Sequence, residues 1–195
     1  PRSFSDYREM LESIDPDVVY VIMGEEFVTS IAVDCMNAGK HVFVEKPPGL
    51  NPEESQRLLE VATANDVYCM VGYQRRYAAV TREAMRLVKE RGPATLAIGA
   101  FHKHMLGAAK PPRTTMWNDI CHVVDLVRYM AGSEAVEVNA YQDTGQSKLP
   151  ADYNSLIRFA NGAVGIVIAN RSSGGRTLRA ELHGMGICCY MRIPE

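Results

Sequence analysis

An α/β region followed by an α+β region is the fold class this sequence predicts, on three observations. Helical and strand patterns alternate over residues 1–91, which argues for a parallel sheet with helices on both faces. The alternation ends at Arg91-Gly92-Pro93, after which strand patterns dominate and only one long helical pattern remains. The turn chemistry changes too. Asn161-Gly162 is a two-residue hairpin signal, and Gly174-Gly175 and Gly184-Met185-Gly186 mark further turns of an antiparallel sheet. The expected organisation is therefore a parallel-sheet domain over 1–91 and an α+β domain over 94–195, the latter a mainly antiparallel open sheet with one packed helix.

Taken in order, residues 6–13 read as a short helix capped by Ser5 or Asp6. "DVVYVIM", residues 17–23, is a continuous apolar run of strand length that suits a parallel strand buried on both faces. Residues 26–38 carry helical spacing through Phe27, Ile31, Ala32, Cys35 and Met36, with Gly39 as the stop. "HVFV", residues 41–44, is the next strand, ended by Glu45-Lys46-Pro47-Pro48-Gly49, because proline cannot donate to a ladder. Asn51 caps a helix with Pro52 first and Glu54 third, and its apolar face runs through Leu58, Leu59 and Ala62. Residues 67–71 are a third strand and 75–90 a third long helix. In the second half, strands are expected at 94–104, 135–142, 153–160, 163–170, 177–183 and 187–193. A polar loop, "LGAAKPPRTT", follows the first of these, and a helix spans about 116–130.

Composition narrows the function. The chain has 195 residues, 47% hydrophobic and 23% charged, as in soluble globular proteins. A net charge of −2 points to neither nucleic acid nor an anionic membrane. No apolar run approaches the ~20 residues of a membrane span, and "PRSFSDYREM" has no secretory h-region. Five cysteines without zinc spacing suggest reduced thiols and a cytoplasmic setting.

The charged pair Glu45-Lys46 closes a strand at its carboxyl end, where open α/β sheets bind ligands. Three segments, "NAGKHVFVEKP" (37–47), "VGYQRRY" (71–77) and "NDICHVVDLVRYMAG" (118–132), together resemble the Gfo/Idh/MocA family of nicotinamide enzymes in order and spacing. The first matches that family's "aGKHVxxEKP" signature. The second resembles the segment leaving its dinucleotide-binding domain, and the third the helix that carries a catalytic histidine. The resemblance covers nearly the whole chain. It implies that residues 1–91 are part of a Rossmann-type domain binding NAD or NADP through Met23, Gly24, Glu45, Lys46 and Pro47. It also implies a cis Lys46–Pro47 bond. Lys46 would orient the substrate oxygen, and His122 would exchange a proton with it, a role suited to a group titrating near neutral pH. The two are expected to face one cleft. Tyr73, Arg75, Arg76, His102, His104, Trp117 and Asn118 are the expected substrate contacts, and Asp125 a support for the helix. No metal is expected, since His102, His104 and His122 find no completing ligand at convincing spacing.

Three departures stand out. Asn118 occupies the place of an aspartate one turn before the histidine, and asparagine cannot hold a charge. Asp119 lies one residue along, about 100° around a helix. Glu25-Glu26 follow Gly24, where the family usually approaches its cofactor after Thr-Pro. No G-x-G-x-x-G opens a helix near the start; "GMGICC" at 184–189 lies between two strands and reads as a hairpin turn. Binding of NAD or NADP by this chain alone is therefore expected to be weak or absent.

The resulting expectation is an NAD(P)-dependent oxidoreductase passing a hydride between nicotinamide and a sugar, polyol or related hydroxyl compound. The alternative is a catalytically silent relative kept for sugar binding or assembly. "AVGIVIA" (163–169) and "YNSLIRFA" (153–160) are apolar on both faces, which predicts a homodimer or homotetramer packed through the open sheet face.

Overall fold

The computed structural model describes residues 2–104, 115–143 and 151–193. Most of the polar loop expected at 106–115 lies outside them. The chain divides into two compact units at Gly72/Tyr73. The sequence placed that division near residue 92. The helix expected at 75–90 belongs instead to the second unit, because it buries Ala84 and Val88 in the core there.

The first unit comprises α1 (Tyr7–Ile14), β1 (Val18–Val21), α2 (Glu25–Asn37), β2 (His41–Val44), α3 (Pro52–Ala64) and β3 (Cys69–Val71). The three strands are parallel in the order β1-β2-β3, with Val18 opposite His41 and Val44 opposite Val71. Alternate strand residues Val19, Val21, Val42 and Val44 are buried with Val28, Ala32 and Met36 of α2, Leu58 and Ala62 of α3, and Leu11 of α1. All three helices thus serve one face of the sheet, as successive right-handed crossovers running in one direction require. This corrects the expectation of strands buried on both faces. Tyr20 is 67% exposed on the other face, its ring 5.1 Å from that of Phe43.

The second unit opens with a 3₁₀ turn (Gln74–Tyr77). Ala78, at φ −58° and ψ 135°, breaks the helix there, and α4 (Ala79–Lys89) starts after it. Then come β4 (Leu96–His104), a π-helical turn (Met116–Ile120) leading directly into α5 (Cys121–Ala131), and β5 (Ala135–Asp143). β6 (Asp152–Phe159), β7 (Val164–Asn170), β8 (Ser172–Gly184) and β9 (Ile187–Arg192) follow. Their sheet runs β5-β6-β7-β4-β8-β9, with β4 and β7 parallel and the other pairs antiparallel. Gly174-Gly175 lies within β8, where the pairing with β4 shifts register between His102 and His104, and not in a separate turn.

Helix α5 covers the sheet face made by Ala97, Phe101, Val167, Ala169, Leu178 and Leu182. Two glycines allow the close approach. A Cβ on Gly99 would lie 2.4 Å from Val123 Cγ2, and one on Gly165 2.8 Å from Val127 Cγ1. Gly132, at φ 66°, ends α5 in the left-handed cap that glycine adopts without penalty. The opposite face carries Leu156 and Ile168, 52% and 40% exposed, and every residue of the edge strand β5 is exposed.

Candidate active site

The end of β2 is stitched to both neighbouring strands. The Glu45 amide donates to the Val21 carbonyl, and the Gly72 amide donates to the Val44 carbonyl. Lys46 and Glu45 follow at the carboxyl edge, both half-buried, and the Lys46 amide donates to the Glu45 carboxylate. The Lys46–Pro47 bond is cis, as the family resemblance implied. Pro47 and Gly49 are buried. Beyond them Glu54 gathers the chain. Its carboxylate accepts from the Leu50 amide at 2.8 Å, Thr29 Oγ1 at 3.1 Å and Asn51 Nδ2 at 3.1 Å. The Glu54 amide in turn donates to Asn51 Oδ1 at 2.8 Å, the N-cap bond of α3. A Cβ on Gly49 would come within 2.6 Å of Glu54 Cβ, so this loop tolerates only glycine there.

Met23 and Gly24 close β1 beside this edge. Gly24 is the N-cap of α2 and has no side-chain capping bond; Glu25 and Glu26 fill the helix's first turn. Carboxylates are favourable at the positive end of a helix dipole, which accounts for the two acids without a cofactor. These residues fit the nicotinamide end of a dinucleotide: adjacent strand ends, a lysine and a glycine-flanked turn. The sequence supplies no G-x-G-x-x-G to cradle the pyrophosphate.

In the second unit, His122 sits half-buried in the first turn of α5, three residues after Asp119 and four after Asn118. The π-helical turn beneath it is a rare element frequent at functional sites. Asp119 does not stand alone. Lys103 Nζ lies 3.2 Å from both its carboxylate oxygens, and Arg171 Nε is 3.5 Å from Oδ2, within ion-pair reach but not aligned as a hydrogen bond. Arg171 is 3% exposed. It donates from Nη1 to the Phe101 carbonyl at 2.8 Å, and its guanidinium carbon lies 4.6 Å from the Phe101 ring centre. Burial first of all pulls its pKa below the ordinary arginine value.

Asp125, 8% exposed, receives a bidentate pair from Arg76, through Nε at 2.8 Å and through Nη2. The Arg76 guanidinium also lies 5.3 Å from the Tyr129 ring and 5.8 Å from Tyr73. Burial, then Cys121 and Asp125, push the Tyr73 phenol upward. Arg76 therefore ties the 3₁₀ turn to α5, so that its charge is spent within the protein. Arg75 is buried, and Trp117 and Asn118 are half-buried in the π-helical turn.

His102 and His104 were expected to share a face that meets substrate. The register places His102 level with Leu96, Ile98 and Ala100, away from α5, and the pairing shift separates it from His104. His104 Nδ1 lies 3.1 Å from the Ser173 carbonyl. The residue that turns toward α5 is Lys103, between them. Sequence reasoning passed over both Lys103 and Arg171. The lysine was hidden among histidines, and the arginine follows a strand with no motif around it. Among the described residues no three His, Cys, Asp or Glu side chains converge on a metal-sized point.

Two family models match the chain. Residues 1–73 match an oxidoreductase family with an NAD-binding Rossmann fold, and residues 99–186 match the GFO/IDH/MocA C-terminal domain. The chain is 29% identical to levoglucosan dehydrogenase of Pseudarthrobacter phenanthrenivorans, over 93% of this chain and 57% of that protein. It is 26% identical to myo-inositol 2-dehydrogenase of Thermotoga maritima, over 94% of this chain and 58% of that protein. Among solved structures, a levoglucosan dehydrogenase complex with NADH and L-sorbose superposes with a TM-score of 0.80 at 26% identity, covering 93% of this chain and 55% of that one. The chain thus spans between half and three fifths of the length of these relatives. The first unit is the cofactor-side fold, and the cofactor it implies is a nicotinamide dinucleotide.

Proposed function

The chain belongs to the Gfo/Idh/MocA oxidoreductase family, and from that premise we propose that it serves hydride transfer between NAD or NADP and a sugar, polyol or related hydroxyl compound. The observation that carries this reading is the construction of the β2 edge. A lysine stands at a strand end fixed by two flanking ladders and by the Glu54 network, in an NAD-binding fold. Catalytic groups need that kind of support to hold their geometry. When bound, the nicotinamide supplies the two-electron acceptor or donor. Lys46 holds the substrate oxygen and stabilises charge developing on it. His122 takes the hydroxyl proton during oxidation and returns it during reduction. Tyr73, Trp117 and Asn118 border the substrate, and Met23, Gly24, Glu45 and Pro47 border the cofactor. Arg76 and Asp125 brace the helix that presents His122. The names of the relatives favour carbohydrate-like substrates.

The test is steady-state turnover in the polypeptide that carries this chain. Lys46→Ala should lower kcat by about 10²–10³-fold, the scale of losing one preorganised electrostatic contact, with an unchanged melting temperature. Near-normal turnover would remove Lys46 from the mechanism.

The open face of the six-stranded sheet supports assembly through two or four copies. Tyr141, Asn154, Leu156, Ile166 and Ile168 line a shallow cavity of about 330 Å³ on it. Leu156→Asp should shift the mass measured by light scattering toward the monomer. A monomer in the unaltered protein would contradict assembly through this face.

A further inference from the structure

The cations around Asp119 exceed what that carboxylate can balance. Lys103 and Arg171 both address it, which leaves one positive charge without a counter-charge among the described residues. Arg171 is 3% exposed, yet its Nη2 is buried with no acceptor. A buried donor without a partner costs about 1–3 kcal/mol, and more when charged. Water could satisfy the N–H but not the charge, and buried charge calls for opposite charge. His102 registers the same field. Burial, Arg171 and Arg179 hold its imidazole toward the neutral form against the weaker pull of Asp152.

We infer that Lys103 and Arg171 form an anion subsite and that the substrate carries a carboxylate, making it an acidic sugar. This deepens the hydride-transfer reading and rests on it for the word substrate, but binding itself does not depend on that reading. Lys103, the more exposed of the two, makes the first contact. Arg171 takes the second carboxylate oxygen through Nη2 while Nη1 keeps its bond to the Phe101 carbonyl. Asp119 holds both cations in place and prevents their mutual repulsion from splaying them.

Calorimetry without nicotinamide tests this. Gluconate, galactonate and glucuronate would be titrated against glucitol, galactitol and glucose at low ionic strength, with inorganic phosphate as a further arm. At least one acid should bind about tenfold or more tightly than its neutral counterpart, the scale of a hydrogen bond to a charged group. Lys103→Met should remove most of that preference. Arg171→Lys, checked for folding by thermal melting, should reduce it. Equal affinity for acids and neutral compounds, heat with none of them, or a preference unchanged in Lys103→Met would each overturn the inference. Phosphate competing as strongly as the acids would also overturn it, by showing a general anion hole. Turnover of neutral polyols without any acid preference would sink this inference and leave hydride transfer standing. Acid binding without turnover would do the reverse.

Discussion

The two units hold their key side chains by different physics. In the first, Lys46 is placed by backbone. Ladder bonds fix Val44 and Glu45, buried Pro47 and Gly49 follow, and Glu54 gathers the loop with uncharged partners. In the second, the helix bearing His122 packs on the sheet through its apolar face and is braced there by charge, through Arg76 on Asp125 and Lys103 with Arg171 on Asp119. Backbone placement is rigid and indifferent to salt. Charge placement can be tuned and is costly to break, because removing one partner strands the other.

Three substitutions sharpen that contrast. The largest effect is expected from Asp125→Ala, which leaves Arg76 without its bidentate partner. It should cost about 2–4 kcal/mol in chemical denaturation, below the range for a fully buried pair because Arg76 retains some solvent contact. A loss under about 0.5 kcal/mol, typical of an exposed pair, would mean that charge does not brace this helix. Asn51→Ala removes the cap of α3 and should cost about 1 kcal/mol, with no dependence on salt concentration. A strong salt dependence would erase the distinction between the units.

The smallest effect concerns pH. His102 binds its proton more weakly folded than unfolded, owing first to burial and then to Arg171 and Arg179. Its folded pKa is therefore depressed, and the unfolded chain binds more protons at acidic pH. Stability should fall as pH drops through the ordinary histidine value of about 6.5. His102→Gln should flatten that part of the melting-temperature profile. An identical slope in the variant would show that the cationic field does not reach His102.

The same contrast explains what the sequence revealed. The first unit was legible because its punctuation is local. Gly39, Pro47-Pro48 and Asn51-Pro52-Glu53-Glu54 stop and start elements within a few residues, and all three strands lie within the expected spans. What local signals could not say was that one sheet face stays open, since crossover direction is a property of the whole sheet. In the second unit the strands were legible from the turn signals between them, Asn161-Gly162 above all. The pairing of Lys103, Asp119 and Arg171 was not, because it joins three distant segments and carries no periodicity. The π-helical turn was equally hidden, since Met116 to Ile120 read as ordinary helix. Arg76 looked like a substrate ligand next to Tyr73, and only tertiary structure showed that Asp125 takes it.

Hydride transfer can be followed directly by isotope. The polypeptide carrying this chain would be incubated with NAD or NADP and a panel of sugars, sugar acids and polyols deuterated at their carbinol carbons, and the nicotinamide examined by nuclear magnetic resonance. Deuterium should appear on the nicotinamide ring with at least one compound, and that transfer should be abolished in His122→Asn and strongly reduced in Lys46→Ala. Compounds that bind while every deuterium stays on its own carbon would contradict hydride transfer and identify a silent relative that binds without reacting.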